Sequence, residues 1–198
     1  YDALPDILAR VCAICPVAYQ VTVAQALEGL FACRLGPEQQ ALRRAMYCGE
    51  WLQSHSLHIH LLALPDFLGF DNAVAMAERY PDQLRRGLRL QDLGNRVIEL
   101  LGGRSVHPVG LRVGGFHRLP EPAAVQALAA RLEAAAEDAE ALFHWCAGLD
   151  YPTDHQVSRL IGRTSRNLDQ HIVEPQKLCL DEVYAVLPLV GPALGRIV

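Results

Sequence analysis

The 198-residue sequence has no run of about eighteen apolar residues, which argues against a conventional membrane-spanning helix. Its most apolar stretch, Val183 to Val198, is broken by Pro188, Gly191, Pro192 and Gly195. A secretory leader pattern is missing, and so is an initiator methionine. The chain starts at Tyr1 close to a cysteine pair and stops inside an apolar segment, as a portion of a longer polypeptide would. It has no second C-x-x-C, so a zinc knuckle would lack half its ligands. It has no H-E-x-x-H, the helix pattern of a zinc hydrolase, and no phosphate-loop lysine.

What is present is globular. An apolar share of 51% and a mean hydropathy of +0.12 exclude a disordered tail. The length suits one domain, or one and a half, with a proper core. Six irregularly spaced cysteines fit a reducing compartment, and the expected location is cytoplasmic. The net charge of −4 hides an asymmetry. Eight arginines lie between Arg79 and Arg118, while the stretch from Glu121 to Asp154 is acidic except for Arg131. The basic stretch has few aromatics and no recognition motif, so a nucleic-acid partner is not expected. Two oppositely charged, solvated surfaces are the simplest expectation, with a protein-docking face as the alternative.

Apolar spacing predicts a mainly α fold: a multi-helix bundle with a small irregular, short-strand segment around residues 104–119. One helix is expected from Ala18 to Leu35, on Val21, Ala24, Leu27, Leu30 and Phe31, stopped by Gly36-Pro37. A longer, central one should run from Glu38 to Leu64 on Leu42, Met46, Trp51, Leu57 and Leu61, and stop at Pro65. Short and long helices follow at Asn72–Arg79 and Gln83–Leu101, the latter on Leu88, Leu93, Val97 and Leu100-Leu101. One long helix is expected from Ala123 to Gly148, on Val125, Leu128, Leu132, Leu142, Phe143 and Cys146. The organisation expected is a helical core over 1–103, a glycine-rich segment over 104–120 and a helix over 121–150. Residues 151–198 are less legible, with a short helix or hairpin through Gln156 to Asn167.

Chemistry concentrates at Arg10-Val11-Cys12-Ala13-Ile14-Cys15-Pro16. Thiols three residues apart at a turn, before a proline suited to the first helical position, aim at one point. The helix start should favour thiolate. A thioredoxin-like redox pair would follow a strand, but this one feeds into helix. The remaining reading is half of a four-thiolate site. His55 and His58 lie three apart and are a weaker metal candidate. A zinc-binding module, with His55 or His58 completing the ligands beside Cys12 and Cys15, is a further option. Cys33, Cys48, Cys146 and Cys179 stand alone and read as structural. Gly102-Gly103-Arg104 and Gly114-Gly115 read as turns.

Taken together these residues resemble the large subunit of nickel–iron hydrogenases. Arg10 to Val17 is similar to the family's R-x-C-G-x-C-P motif. Ser54-His55-Ser56-Leu57-His58, then Pro65-Asp66-Phe67, resembles its S-H-x-L-H and P-D-F elements. Gly102-Gly103-Arg104-Ser105-Val106-His107-Pro108 resembles its G-G-R-x-x-H-P segment, and Gly114-Gly115-Phe116 the glycine-rich stretch after it. The resemblance implies a nickel–iron centre, its iron carrying carbon monoxide and cyanide, at which H2 is reversibly oxidised. Cys12 would be a terminal nickel ligand and Cys15 a bridging one. Arg10 and Tyr19 would lie just outside the metal ligands. Arg104 and His107 would lie near an iron–sulfur small subunit that accepts electrons.

Departures from the family pattern accompany the likeness. Ala13 replaces a glycine, Tyr19 stands where a histidine is usual, and the C-terminal C-x-x-C is absent. The family's acidic proton-relay residue, expected before Tyr1, is absent too. The implication is a chain that supplies one of two cysteine pairs, binds no complete centre alone and needs the remainder of the large subunit. The alternative is a hydrogenase-like scaffold or electron-transfer subunit without the metals.

Overall fold

The computed structural model describes residues 1–150; the helix or hairpin expected at 156–167, and Cys179, lie outside the described residues. Helix α1 (Leu4–Ala9) is followed by the C-x-x-C turn and by α2 (Pro16–Leu30). Then come α3 (Pro37–Leu57), a π-helical stretch (His58–Ala63), α4 (Leu64–Phe67), α5 (Ala73–Arg79) and α6 (Pro81–Gly102). Strands β1 (Leu111–Arg112) and β2 (Gly115–Phe116) pair antiparallel, Leu111 opposite Phe116 and Arg112 opposite Gly115. Helices α7 (Pro122–Ala134) and α8 (Ala136–Ala147) complete the described part. The mainly α class and the small strand segment are as expected. Helix α1, only six residues long, had no periodicity to announce it.

Proline opens α2, α3, α6 and α7, where its fixed φ fits and its missing N–H leaves nothing unpaired. Pro65 was expected to end the central helix and does not. The chain widens into the π-helical stretch, which relieves the clash between the proline ring and the preceding turn, and continues helically to Phe67. The single helix expected at 123–148 is broken at Ala135. Each half has its own anchor on α6: Val125, Leu128 and Leu132 are buried from α7, and Ala139, Leu142 and Cys146 from α8.

The two charge blocks are not independent solvated surfaces. Arg86 and Arg89 of α6 both reach Asp138 of α8, and Arg131 of α7 meets Asp92 of α6 at 3.0 Å. The blocks therefore face one another across the α6 seam. These pairs are largely exposed and contribute register more than stability.

The core is built on α3 and α6, which pack most extensively. They approach so closely that a Cβ on Gly94 would stand 2.5 Å from the Gln53 backbone nitrogen and 2.6 Å from the Gly49 carbonyl oxygen. Leu42, Met46, Leu52, Leu90, Val97 and Ile98 fill the space around the crossing. Some stripe residues point outward instead: Leu30, Phe31, Trp51 and Leu88 are exposed. For Leu30 and Phe31 the reason is that α2 ends early. Ala32 takes a left-handed backbone (φ 52°), and the Cys33 N–H donates to the Glu28 carbonyl in a Schellman closure.

Nearby, the buried Glu28 carboxylate pairs with both terminal nitrogens of Arg43, at 2.6 and 2.7 Å, and accepts from the Gly114 N–H. Arg43 also donates to the Arg112 carbonyl, so one ion pair ties α2, α3 and the β1–β2 hairpin together. Cys48 and Cys146 are buried as expected of structural cysteines, while Cys33 is exposed.

Two substitutions test this packing. Ala32→Gly relieves about 1–2 kcal/mol of left-handed strain, against about 0.4–1 kcal/mol of added freedom in the unfolded chain. It should therefore raise the thermal midpoint by about 2–4 °C. Gly94→Ala forces α3 and α6 apart and should cost about 3 kcal/mol in chemical denaturation; a neutral result would show that the crossing is not tight.

Candidate metal centre

Cys12 and Cys15 lie at the mouth of the α1–α2 hairpin, both half-buried. Cys15 is the residue immediately before α2, and its backbone N–H donates to the Cys12 sulfur at 3.3 Å. The two sulfurs are 2.8 Å apart, with the Cys15 thiol donating to Cys12. Both are free thiols. Ala13 has no positive φ, so its Cβ brings no strain where the family pattern has glycine.

Helix α3 grips this turn from behind. Glu50, 2% exposed, accepts from the Val17 N–H at 2.6 Å and the Ala18 N–H at 3.0 Å, two of the donors a helix start leaves open. One turn later Gln53 donates to the Ile14 carbonyl at 3.1 Å, inside the C-x-x-C turn. The sequence reading missed both residues. Their signal was polarity on a face of α3 otherwise made of Leu42, Met46 and Leu52.

A second brace comes from the glycine-rich segment. His107 Nδ1 donates to the Ala9 carbonyl at 2.8 Å, which places its proton on Nδ1 in the neutral ring. His107 itself has a left-handed backbone (φ 47°), and Arg104 donates to its carbonyl. Gln20, fully buried in α2, donates to the Pro108 carbonyl and to Asp6. Residues 104–108 thus hold the approach to Cys12. Arg10 is exposed and donates to the Asp6 carbonyl, and Tyr19 is exposed on the first turn of α2.

The electrostatics differ from the sequence expectation. A free helix start would favour thiolate at both positions, but Glu50 occupies that positive end. The hydrogen bond between the thiols splits them: it holds Cys12 below the ordinary cysteine value and pushes Cys15 up to about 11, helped by burial. Burial pushes Glu50 itself up to about 7, against the pull of the Val17 and Ala18 N–H groups.

The histidine run is placed differently. His60 is buried in the π-helical stretch, its Nδ1 donating to the Ser56 carbonyl, and burial lowers its pKa. His55 is half-buried and His58 exposed. Among the described residues no group of three or more His, Cys, Asp or Glu side chains is arranged to hold a metal. The donor set here is two soft sulfurs, which suits nickel, iron or zinc and supplies half of a four-thiolate site. Gly103 closes α6 in a left-handed turn and Gly114-Gly115 turn the hairpin. Among the described residues no helix is long and apolar enough to cross a membrane.

No family model matches the chain. Among curated proteins it is similar to the sulfhydrogenase 2 alpha subunit of Pyrococcus furiosus, 36% identical over 129 residues, covering 65% of this chain and 31% of that protein. The sulfhydrogenase 1 alpha subunit of the same organism is 34% identical over 141 residues, covering 71% and 33%. Among solved structures it resembles an NAD+-reducing NiFe hydrogenase in the H2-reduced state. The TM-score is 0.71 at 30% identity, covering 74% of this chain and 34% of that one. A Ni-Fe-Se hydrogenase from D. vulgaris Hildenborough gives a TM-score of 0.63 at 25% identity, covering 70% and 32%. The chain spans about a third of the length of these relatives.

The raised Glu50 pKa has a definite consequence for stability. The folded state holds the Glu50 proton more tightly than the unfolded state does, so this group's contribution is greatest at low pH. It falls as pH rises from about 4.5, the ordinary value, through about 7. Relative to wild type, Glu50→Gln should therefore gain stability progressively across that window in urea unfolding. A difference between the two proteins that stays constant with pH would contradict the assignment.

Proposed function

We propose that this chain, which belongs by sequence and fold to the nickel–iron hydrogenase large-subunit family, supplies one thiolate pair of a nickel–iron centre. The protein it serves is a hydrogenase large subunit acting in reversible H2 oxidation. The observation that carries this reading is the pair of free sulfurs, 2.8 Å apart, in the motif where the family resemblance begins. Cys12 and Cys15 are the ligands. When bound, a nickel–iron centre supplies the two-electron chemistry of heterolytic H2 cleavage, and polarizable thiolates suit such a metal.

The chain's own residues prepare for that chemistry. Glu50 and Gln53 hold the turn from the α3 side, while His107 and Gln20 fasten residues 104–108 to α1 and α2 on either side of it. Arg10 and Tyr19, both exposed and a few positions to either side of the cysteine pair, are assigned to places just outside the metal ligands. Such neighbours tune a metal through hydrogen bonds and charge. Arg104 and His107 are assigned to a contact with an iron–sulfur small subunit. The complementary thiolates would come from polypeptide beyond this chain, so the chain alone is inactive. A cytoplasmic location is supported by free cysteines in an irregular pattern. The scaffold alternative draws on Ala13 and Tyr19, and the unstrained backbone at Ala13 removes the first of these.

Elemental analysis of the purified 198-residue chain should find nickel well below one equivalent, and H2-dependent dye reduction should be at background. In the longer large subunit assembled with its partner, nickel should be present, and Cys12→Ser or Cys15→Ser should remove it together with activity. H2-dependent turnover by the isolated chain, or nickel retained by both serine variants of the assembled subunit, overturns this reading.

A further inference from the structure

The C-x-x-C turn has no regular structure of its own, and Val11 and Ile14 on it are exposed. Fixing such a turn costs about 1–2 kcal/mol of backbone entropy per residue, so close sulfurs need an external restraint. That restraint is one face of α3. Glu50 holds the start of α2 directly after Cys15, through the N–H groups of Val17 and Ala18. Gln53, one turn along, holds the peptide between the two cysteines through the Ile14 carbonyl. Both side chains reach the turn from buried positions, 2% and 7% exposed. The backbone of Gln53 is itself locked at the α3–α6 crossing, against Gly94. The restraint therefore comes from the close-packed α3–α6 crossing and reaches both halves of the turn.

We propose that Glu50 and Gln53 are positioning residues that hold the Cys12–Cys15 turn so that both sulfurs lie within reach of one metal before any arrives, and that the isolated chain takes one soft divalent cation by a small separation of the two sulfurs. This rests on the reading of Cys12 and Cys15 as metal ligands and extends it to the state that precedes metal insertion. A preorganised pair loses little further freedom on binding, whereas a loose pair must be ordered by the metal itself.

Cadmium ion titrated into the purified 198-residue chain, followed by its ultraviolet sulfur-to-cadmium charge-transfer band, tests this. Wild type should bind one cadmium, and Cys12→Ser and Cys15→Ser should each lose the site. Gln53→Met keeps the shape but not the donor; with one hydrogen bond lost it should bind about fivefold more weakly. Its band per bound ion should also fall as one sulfur disengages, although its helical circular dichroism remains that of wild type. Glu50→Gln, which presents a donor to one of the two N–H groups, should lower the band in the same way and serves where Gln53→Met does not fold. A folded variant with wild-type cadmium affinity and band overturns the positioning role while leaving the ligand assignment intact. A wild-type chain with no cadmium band overturns both.

Discussion

The carboxylate of Glu50 lies where the central helix meets the first turn of α2, and the arrangement of the thiols follows from it. A buried carboxylate loses its hydration and is tolerated only where hydrogen bonds replace it. Here the replacements are the Val17 and Ala18 N–H groups, which a helix start would otherwise leave unpaired. Each group meets the other's need, so neither can shift without exposing a buried polar atom. Gly49, the residue before Glu50, lies at the close crossing with Gly94. The depth of α6 against α3 and the position of the carboxylate are therefore set by adjacent residues.

That carboxylate also changes the chemistry of the sulfurs. The positive end of α2 would by itself lower both thiol pKa values, and the Glu50 carboxyl set against it works in the opposite direction. What remains is the asymmetry of the Cys15-to-Cys12 hydrogen bond, which separates the two thiols in acidity.

The rest of the fold is held by links between elements distant in sequence. The Glu28–Arg43 pair joins two helices and the hairpin, and the pairs from Arg86, Arg89 and Arg131 fasten α7 and α8 to α6. Charge blocks that look like separate surfaces in the sequence prove to be the two sides of one seam. The break at Ala135 belongs to the same seam, since α7 and α8 on its two sides both pack on α6.

By itself the sequence determined the helices that begin near Pro16, Pro37, Pro81 and Pro122, an irregular short-strand segment within 104–119, the thiol pair and the family likeness. These depend on residue identity and spacing within a few positions, which a linear reading captures. It misjudged Pro65, because a π-helical turn can absorb a proline, and the outward-facing Leu30 and Phe31, because helix closure at Ala32 was invisible to periodicity. Only the tertiary structure decided that Glu50 and Gln53 grip the C-x-x-C turn and that His107 and Gln20 tie residues 104–108 to the helices flanking it. Glu50 and Val17 are 33 positions apart and His107 and Ala9 are 98 apart. No local pattern encodes a hydrogen bond between partners so far apart along the chain.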